Sequence, residues 1–161
     1  MTNEEENELL EQIIMFISKN TNEKTNIYVG SDSKNLRGMN FTQFVVAIVI
    51  HYEGNKGAKV FGIPRKEKTI KSVNQRLMME AYYALEIALK LKDVVYPRPL
   101  SVHLDVNKKD QYKSSNVFKQ ATGMVYGQGL NFKVKPYAIA ATSAADHLSN
   151  YPGKIKEFNK F

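Results

Sequence analysis

The chain has 161 residues, 43% of them hydrophobic and 24% charged, which suits a single domain with a sizeable core. Cysteine is absent, which excludes disulfides, thiolate zinc sites and cysteine nucleophiles. No apolar run approaches the roughly 18 residues of a membrane-spanning helix. The net charge of +7 is uneven. Residues 1–30 carry six acids against two lysines, while the rest carries 21 basic and 10 acidic side chains, a balance of +11. So basic a body argues for a polyanionic partner, most simply nucleic acid; a merely Lys-rich soluble surface explains the charge about as well.

In chain order, Leu9, Leu10, Ile13, Ile14 and Ile17 recur at helical spacing behind a cluster of glutamates, which predicts an amphipathic helix over residues 4–19. The acidic start, Met1 to Glu6, is the opposite of a basic signal-peptide start, and the absence of cysteine fits a reducing cytoplasm, the location expected. A first strand is expected over Ile27–Ser31 and a turn-rich stretch over Asp32–Asn40. A long strand follows over Phe41–His51, then a third over Ala58–Ile63 that Pro64 should end. Val73, Leu77, Met78, Ala81, Ala84, Leu85, Ala88 and Leu91 predict a long helix over residues 72–92. After Pro97 and Pro99 come a strand over Leu100–Val106 and a short helix around Val117–Val125, closed by Gly127 and Gly129. A strand over Phe132–Ile139, a short helix over Ser143–Asn150 and a Lys-rich tail complete the chain. Three meandering strands followed by a right-handed strand–helix–strand crossover give an α/β fold with a mixed sheet and helices on both faces. The division expected is an acidic N-terminal helix and connector, residues 1–24, and a domain over 25–161.

Four acids stand out. Asp32 ends the first strand among small residues, Gly30, Ser31 and Ser33, that allow close approach of a ligand or metal; an Asp opening a turn is the plainer explanation. Asp105 lies late in an apolar strand, where a carboxylate is costly unless paired or metal-bound; alternation places His103 on the same side. Glu80 lies in an apolar part of the long helix, with Glu86 as its rival. Asp146 falls in the first turn of the last predicted helix, where complementing the helix dipole is the plainer role. No Gly-rich phosphate loop, zinc spacing or Gly-x-Ser-x-Gly accompanies them, and the three histidines form no triad.

The order Asp on strand 1, Glu on the long helix, Asp on strand 4 and Asp on the last helix resembles the ribonuclease H-like superfamily. So does Asn74-Gln75-Arg76-Leu77-Met78-Met79-Glu80 with Ala84-Leu85-Glu86. Val29-Gly30-Ser31-Asp32-Ser33, Ile63-Pro64-Arg65, Val102-His103-Leu104-Asp105, Lys135-Pro136-Tyr137 and Ala140-Ala141-Thr142-Ser143-Ala144-Ala145 are similar to its YkuK-type family of bacteria and phages, over about residues 27–150. The resemblance implies a five-stranded sheet of order 3-2-1-4-5 and a nuclease that hydrolyses phosphodiester bonds with two divalent ions, Mg²⁺ or Mn²⁺. Asp32 would bridge both ions, Glu80 and Asp105 would complete one site, and Asp146 the other; one ion activates water and the other stabilises the leaving oxygen. One departure is that Pro136–Thr142 lacks the histidine that ribonuclease H proteins often carry before the last helix.

Basic residues follow the carboxylates closely: Lys34 and Arg37 after Asp32, Lys108, Lys109 and Lys113 after Asp105, and Arg65 with Lys66, Lys68 and Lys71 before the long helix. Lys34, Arg37, Arg65, Lys108 and Lys109 are the candidate phosphate contacts to RNA, DNA or a hybrid. Tyr28, Tyr82, Tyr83, Tyr112 and Tyr126 are candidates to stack on bases. Two other functions remain open: a nucleic-acid-binding module of the same fold without catalysis, and a protein-interaction domain whose acidic N-terminal helix docks a partner, a second copy or the chain's own basic body. No membrane association is expected.

Overall fold

The computed structural model describes residues 1–109, 115–150 and 158–159. Tyr112, Lys113 and almost all of the Lys-rich tail lie outside the described residues. The elements run α1 (Asn3–Asn20), β1 (Asn26–Asn35), β2 (Phe41–His51), β3 (Ala58–Lys68), α2 (Val73–Val95), β4 (Leu100–Leu104), α3 (Ser115–Gly127), β5 (Asn131–Val134), α4 (Ile139–Asn150) and β6 (Phe158–Asn159). The sheet has the expected order 3-2-1-4-5. β1 and β3 flank β2 in antiparallel register, and β1, β4 and β5 are parallel. A sixth, two-residue strand, β6, pairs with Lys59 and Val60 at the outer edge of β3. None of the described helices is long and apolar enough to cross a membrane.

The continuous apolar run of β2 reflects burial on both faces. Phe44, Val46, Ile48 and Ile50 join a core with Ala84, Ile87, Ala88 and Leu91 of α2. Val45, Ala47 and Val49 meet Ala144, Ala145 and Leu148 of α4 on the opposite face. Leu10, Ile13 and Ile17 of α1 are spent on the first of these cores, so the apolar stripe of that helix is occupied by its own chain. α1 begins with a capping box between Thr2 and Glu5, which satisfies two otherwise orphaned helix-end donors.

Several boundaries differ from the sequence reading; β4, for one, ends at Leu104 and leaves Asp105 and Val106 just beyond it. β1 continues through Asp32 to Asn35 because Ser33, Lys34 and Asn35 pair with Phe44, Gln43 and Thr42 of β2; the polar run looked like a turn, but its ladder extends the strand. β3 continues past Pro64 to Lys68. Among the described residues nothing pairs beyond β3 there, so a missing N–H costs no ladder bond on the outer side. β5 ends at Val134 and α4 begins at Ile139 rather than Ser143. Pro136 cannot donate to a strand ladder, and the alanines that follow are strong helix formers.

Candidate active site

The parallel pairing of β1 with β4 sets the site. Gly30 is in register with His103, so Asp32 and Asp105, each two residues further on, stand at the same end of adjacent strands. On β1, Ser33 lies in one row with Phe44 and Arg65, and Asp32 in the next with Val45 and Pro64; alternate residues point to opposite faces. Asp32 therefore belongs to the α4 face, where it accepts a 2.6 Å hydrogen bond from Ser149. Ser33 points to the α2 face and donates a 2.6 Å hydrogen bond to Glu80 Oε1.

Glu80 is 7% exposed, and its Oε2 is buried without a hydrogen-bond partner. Burial pushes its carboxyl up to about 8; the Asp32 charge adds to that, while Ser33, Arg76 and Lys135 act against it. Asp32 is also raised, first by burial and then by repulsion from Asp146, against the Ser149 hydroxyl, the Ser33 backbone N–H and Lys34. Two carboxylates left short of positive charge in this way gain from an added cation.

Asp146 does not lie in the first turn of its helix. α4 starts four residues earlier than expected, which moves Asp146 well into α4, away from the N-terminal dipole that was its plainer explanation. It is exposed, and Asn150 donates to its Oδ1 at 3.3 Å. Asp105 forms an ion pair with Lys135. Glu86, the rival to Glu80, is instead paired with Arg65 at 2.8 Å.

Among the described residues no three Asp, Glu or His side chains come together as a ready metal cage. Asp32 and Glu80 nonetheless suit a hard divalent ion. Mg²⁺ is held by one or two carboxylates and keeps several waters, and the unpartnered buried Oε2 of Glu80 is an oxygen donor with nothing to bind. A second ion between Glu80 and Asp105 does not suit the arrangement, because the ammonium of Lys135 is already on Asp105.

Of the candidate phosphate contacts, Lys34 is on β1 two residues beyond Asp32, and Arg37 is exposed in the turn that follows. Lys108 and Lys109 are exposed just beyond β4. All four follow Asp32 or Asp105 within five residues in the chain. Arg65 does not join them. Its guanidinium binds Glu6 at 2.7 Å and Glu86 at 2.8 Å on the α2 face and lies over the Tyr83 ring, 4.6 Å from its centroid. A cleft of about 1060 Å³ opens beside that network, lined by Glu6, Arg65, Tyr83 and Glu86 among others, and not at Asp32 or Glu80. Tyr82 and Tyr126 are exposed and Tyr83 is buried. Tyr28 stacks on His103 at 4.5 Å.

Sequence reasoning missed Lys135, Ser33, Ser149 and Arg76 as neighbours of the carboxylates. Arg76 was within reach as the residue four before Glu80 on one helix face. Lys135 and Ser149 carried no such signal, since their places depend on where β5 ends and α4 begins.

A mixed sheet of order 3-2-1-4-5 with carboxylates at the ends of its two central parallel strands defines a class, and comparison with known proteins agrees. The ribonuclease H-like family model matches residues 8–150, and the chain belongs to that family. The YkuK-type resemblance has a counterpart among known proteins. The chain is 23% identical over 157 residues to the protein of Bacillus subtilis (strain 168) described as uncharacterized protein YkuK, with 88% of this chain and 89% of that one covered.

Proposed function

We propose that this chain is a divalent-metal-dependent nuclease acting on phosphodiester bonds of nucleic acid. The observation that carries the reading is the pair Asp32 and Glu80: buried or half-buried, raised by burial, and lacking an ion pair among the described residues. A protein gains nothing in stability from such a pair, and perturbed carboxylates gathered at strand ends are what a phosphoryl-transfer site requires. Asp32 and Glu80 would hold Mg²⁺ or Mn²⁺, with Asp146 near enough for its charge to act on Asp32. Bound there, the ion would supply Lewis-acid activation of water against a phosphate. Ser33 and Ser149 orient the carboxylates through their 2.6 Å hydrogen bonds. Lys34, Arg37, Lys108 and Lys109 bring positive charge to the backbone of a nucleic acid laid across the strand ends.

The ion pair between Lys135 and Asp105 favours a second reading, a nucleic-acid-binding module of the same fold without cleavage. A panel of labelled single strands, duplexes, hybrids and branched junctions, with Mg²⁺, Mn²⁺ or EDTA, separates the two. Cleavage of at least one class with metal, abolished by EDTA, is expected. Salt-sensitive binding with no cleavage in either metal would install the second reading.

A further inference from the structure

Lys135 belongs to the Lys135-Pro136-Tyr137 motif, which the proposed function leaves without a role. Its position is set by the backbone. Val134 is in parallel register with Leu104, so Lys135 falls beside Asp105, and its N–H donates to the Val106 carbonyl at 3.2 Å. From there its ammonium forms an ion pair with Asp105 and acts favourably on the Glu80 carboxylate. Asp105 and Glu80 are the two ligands that the family resemblance gives to one ion of a pair.

We propose that Lys135 is a built-in cation that occupies the charge position of one of those two ions, so that the chain binds one divalent ion fewer than the resemblance implies. The inference rests on the reading of Asp32, Glu80 and Asp105 as a metal-type constellation. A lysine fixed one residue beyond β5, beside the residue one beyond β4, neutralises Asp105 without drawing on metal from solution. It also repels a divalent ion that approaches the same oxygens. With 44% of its side chain exposed, Lys135 remains open to a phosphate group as well. One ion, at Asp32 and Glu80, is then what the constellation has room for.

The test counts ions rather than turnover. Mn²⁺ is titrated into the full chain by calorimetry, with free Mn²⁺ followed by electron paramagnetic resonance, for the parent, Lys135→Met and Lys135→Arg. The parent should bind one Mn²⁺, Lys135→Met should bind one more, and Lys135→Arg should keep the parent's count. A parent that binds none while Lys135→Met binds one would overturn the metal site at Asp32 and Glu80 yet uphold the role of Lys135. Equal counts in the parent and Lys135→Met, or two ions in the parent, would overturn the inference. Should Lys135→Met fail to fold by circular dichroism, Lys135→Gln carries the same comparison.

Discussion

Two groups of acids sit on one sheet and meet opposite fates. On the α2 face, Glu6 and Glu86 are met by Arg65 and Lys90 through bonds of 2.7 to 3.3 Å. Burial pushes Glu6 up, but the bonds and charges of Arg65 and Lys90 outweigh it and hold its carboxyl below the usual range. Asp32 of β1 and Glu80 of α2 receive hydrogen bonds from two serines and are raised instead. The residue types are the same, and each group holds a buried glutamate, Glu6 in one and Glu80 in the other. The difference is a cation in direct contact. Where the fold supplies one, the acids tie elements together, here α1 to β3 and α2. Where, among the described residues, it supplies none, their carboxyls are raised, and a cation from solution has most to gain.

The largest expected effect tests that contrast at its unpaired end. Asp32→Asn keeps the shape of the side chain and removes a charge that Glu80 and Asp146 oppose. Cleavage should fall at least about 100-fold, the upper end of what even an outer partner of a metal site costs. Melting without metal should hold or rise. Glu53→Gln, on an exposed acid paired with Lys24, should change neither. Were Asp32→Asn to cleave as the parent does, the two acidic groups would differ in electrostatics and not in function.

The same end makes a prediction in pH. Glu80 titrates near 4.5 in the unfolded chain and at about 8 in the folded one. Its folded form prefers the proton, so its contribution to stability is full below about 4.5 and is lost as pH rises towards about 8. Each unit of separation is worth about 1.4 kcal/mol. Urea unfolding in EDTA across that window should show the parent weakening with pH and Glu80→Gln lacking this fall. Mg²⁺ should restore the parent most at the alkaline end, where the carboxylate is free of its proton. Parallel curves for parent and variant would mean that Glu80 is solvated and not a waiting ligand.

The sequence carried some of this arrangement and not the rest, for reasons that differ by residue. The mixed sheet is legible because strand periodicity and crossover rules constrain it, whereas its order 3-2-1-4-5, and with it the neighbouring places of Asp32 and Asp105, is what the family resemblance implies. The place of Glu80 followed from the apolar period of α2. Arg65 has the local look of a phosphate contact because its neighbours in sequence are basic. Its partners, Glu6 and Glu86, lie 59 and 21 residues away, and pairing at that distance leaves no local trace. Asp146 was misplaced along its helix because Tyr137 to Ala141 suits a strand or a helix, and packing of Ala144, Ala145 and Leu148 on β2 decides between them. In the sequence Lys135 stands out only through its motif; its charge acquires meaning only once Val134 is set against Leu104.

The smallest effect breaks the paired group and asks whether it then behaves like the unpaired one. Arg65→Met removes the guanidinium from Glu6 and Glu86 and leaves Lys90 as the one described cation bonded to Glu6. Breaking a fully buried pair costs about 3–5 kcal/mol. Glu86 keeps about a third of its side chain in water, which screens the loss to about 2 kcal/mol. For a chain of this length that is a fall of about 4–8 °C in Tm at neutral pH. The pH dependence identifies the cause. Glu6 has a depressed carboxyl in the parent, so its stabilisation is present above the ordinary 4.5 and lost as pH falls through the lower folded value. The deficit of Arg65→Met should therefore narrow as the melts are taken to acid, because the charge on Glu6 is then gone from both proteins. A deficit that stays constant with pH would assign the role of Arg65 to its packing over the Tyr83 ring, 4.6 Å away, and not to charge. Cleavage should stay near that of the parent throughout, since the carboxylates Arg65 binds are Glu6 and Glu86 and not Asp32 or Glu80.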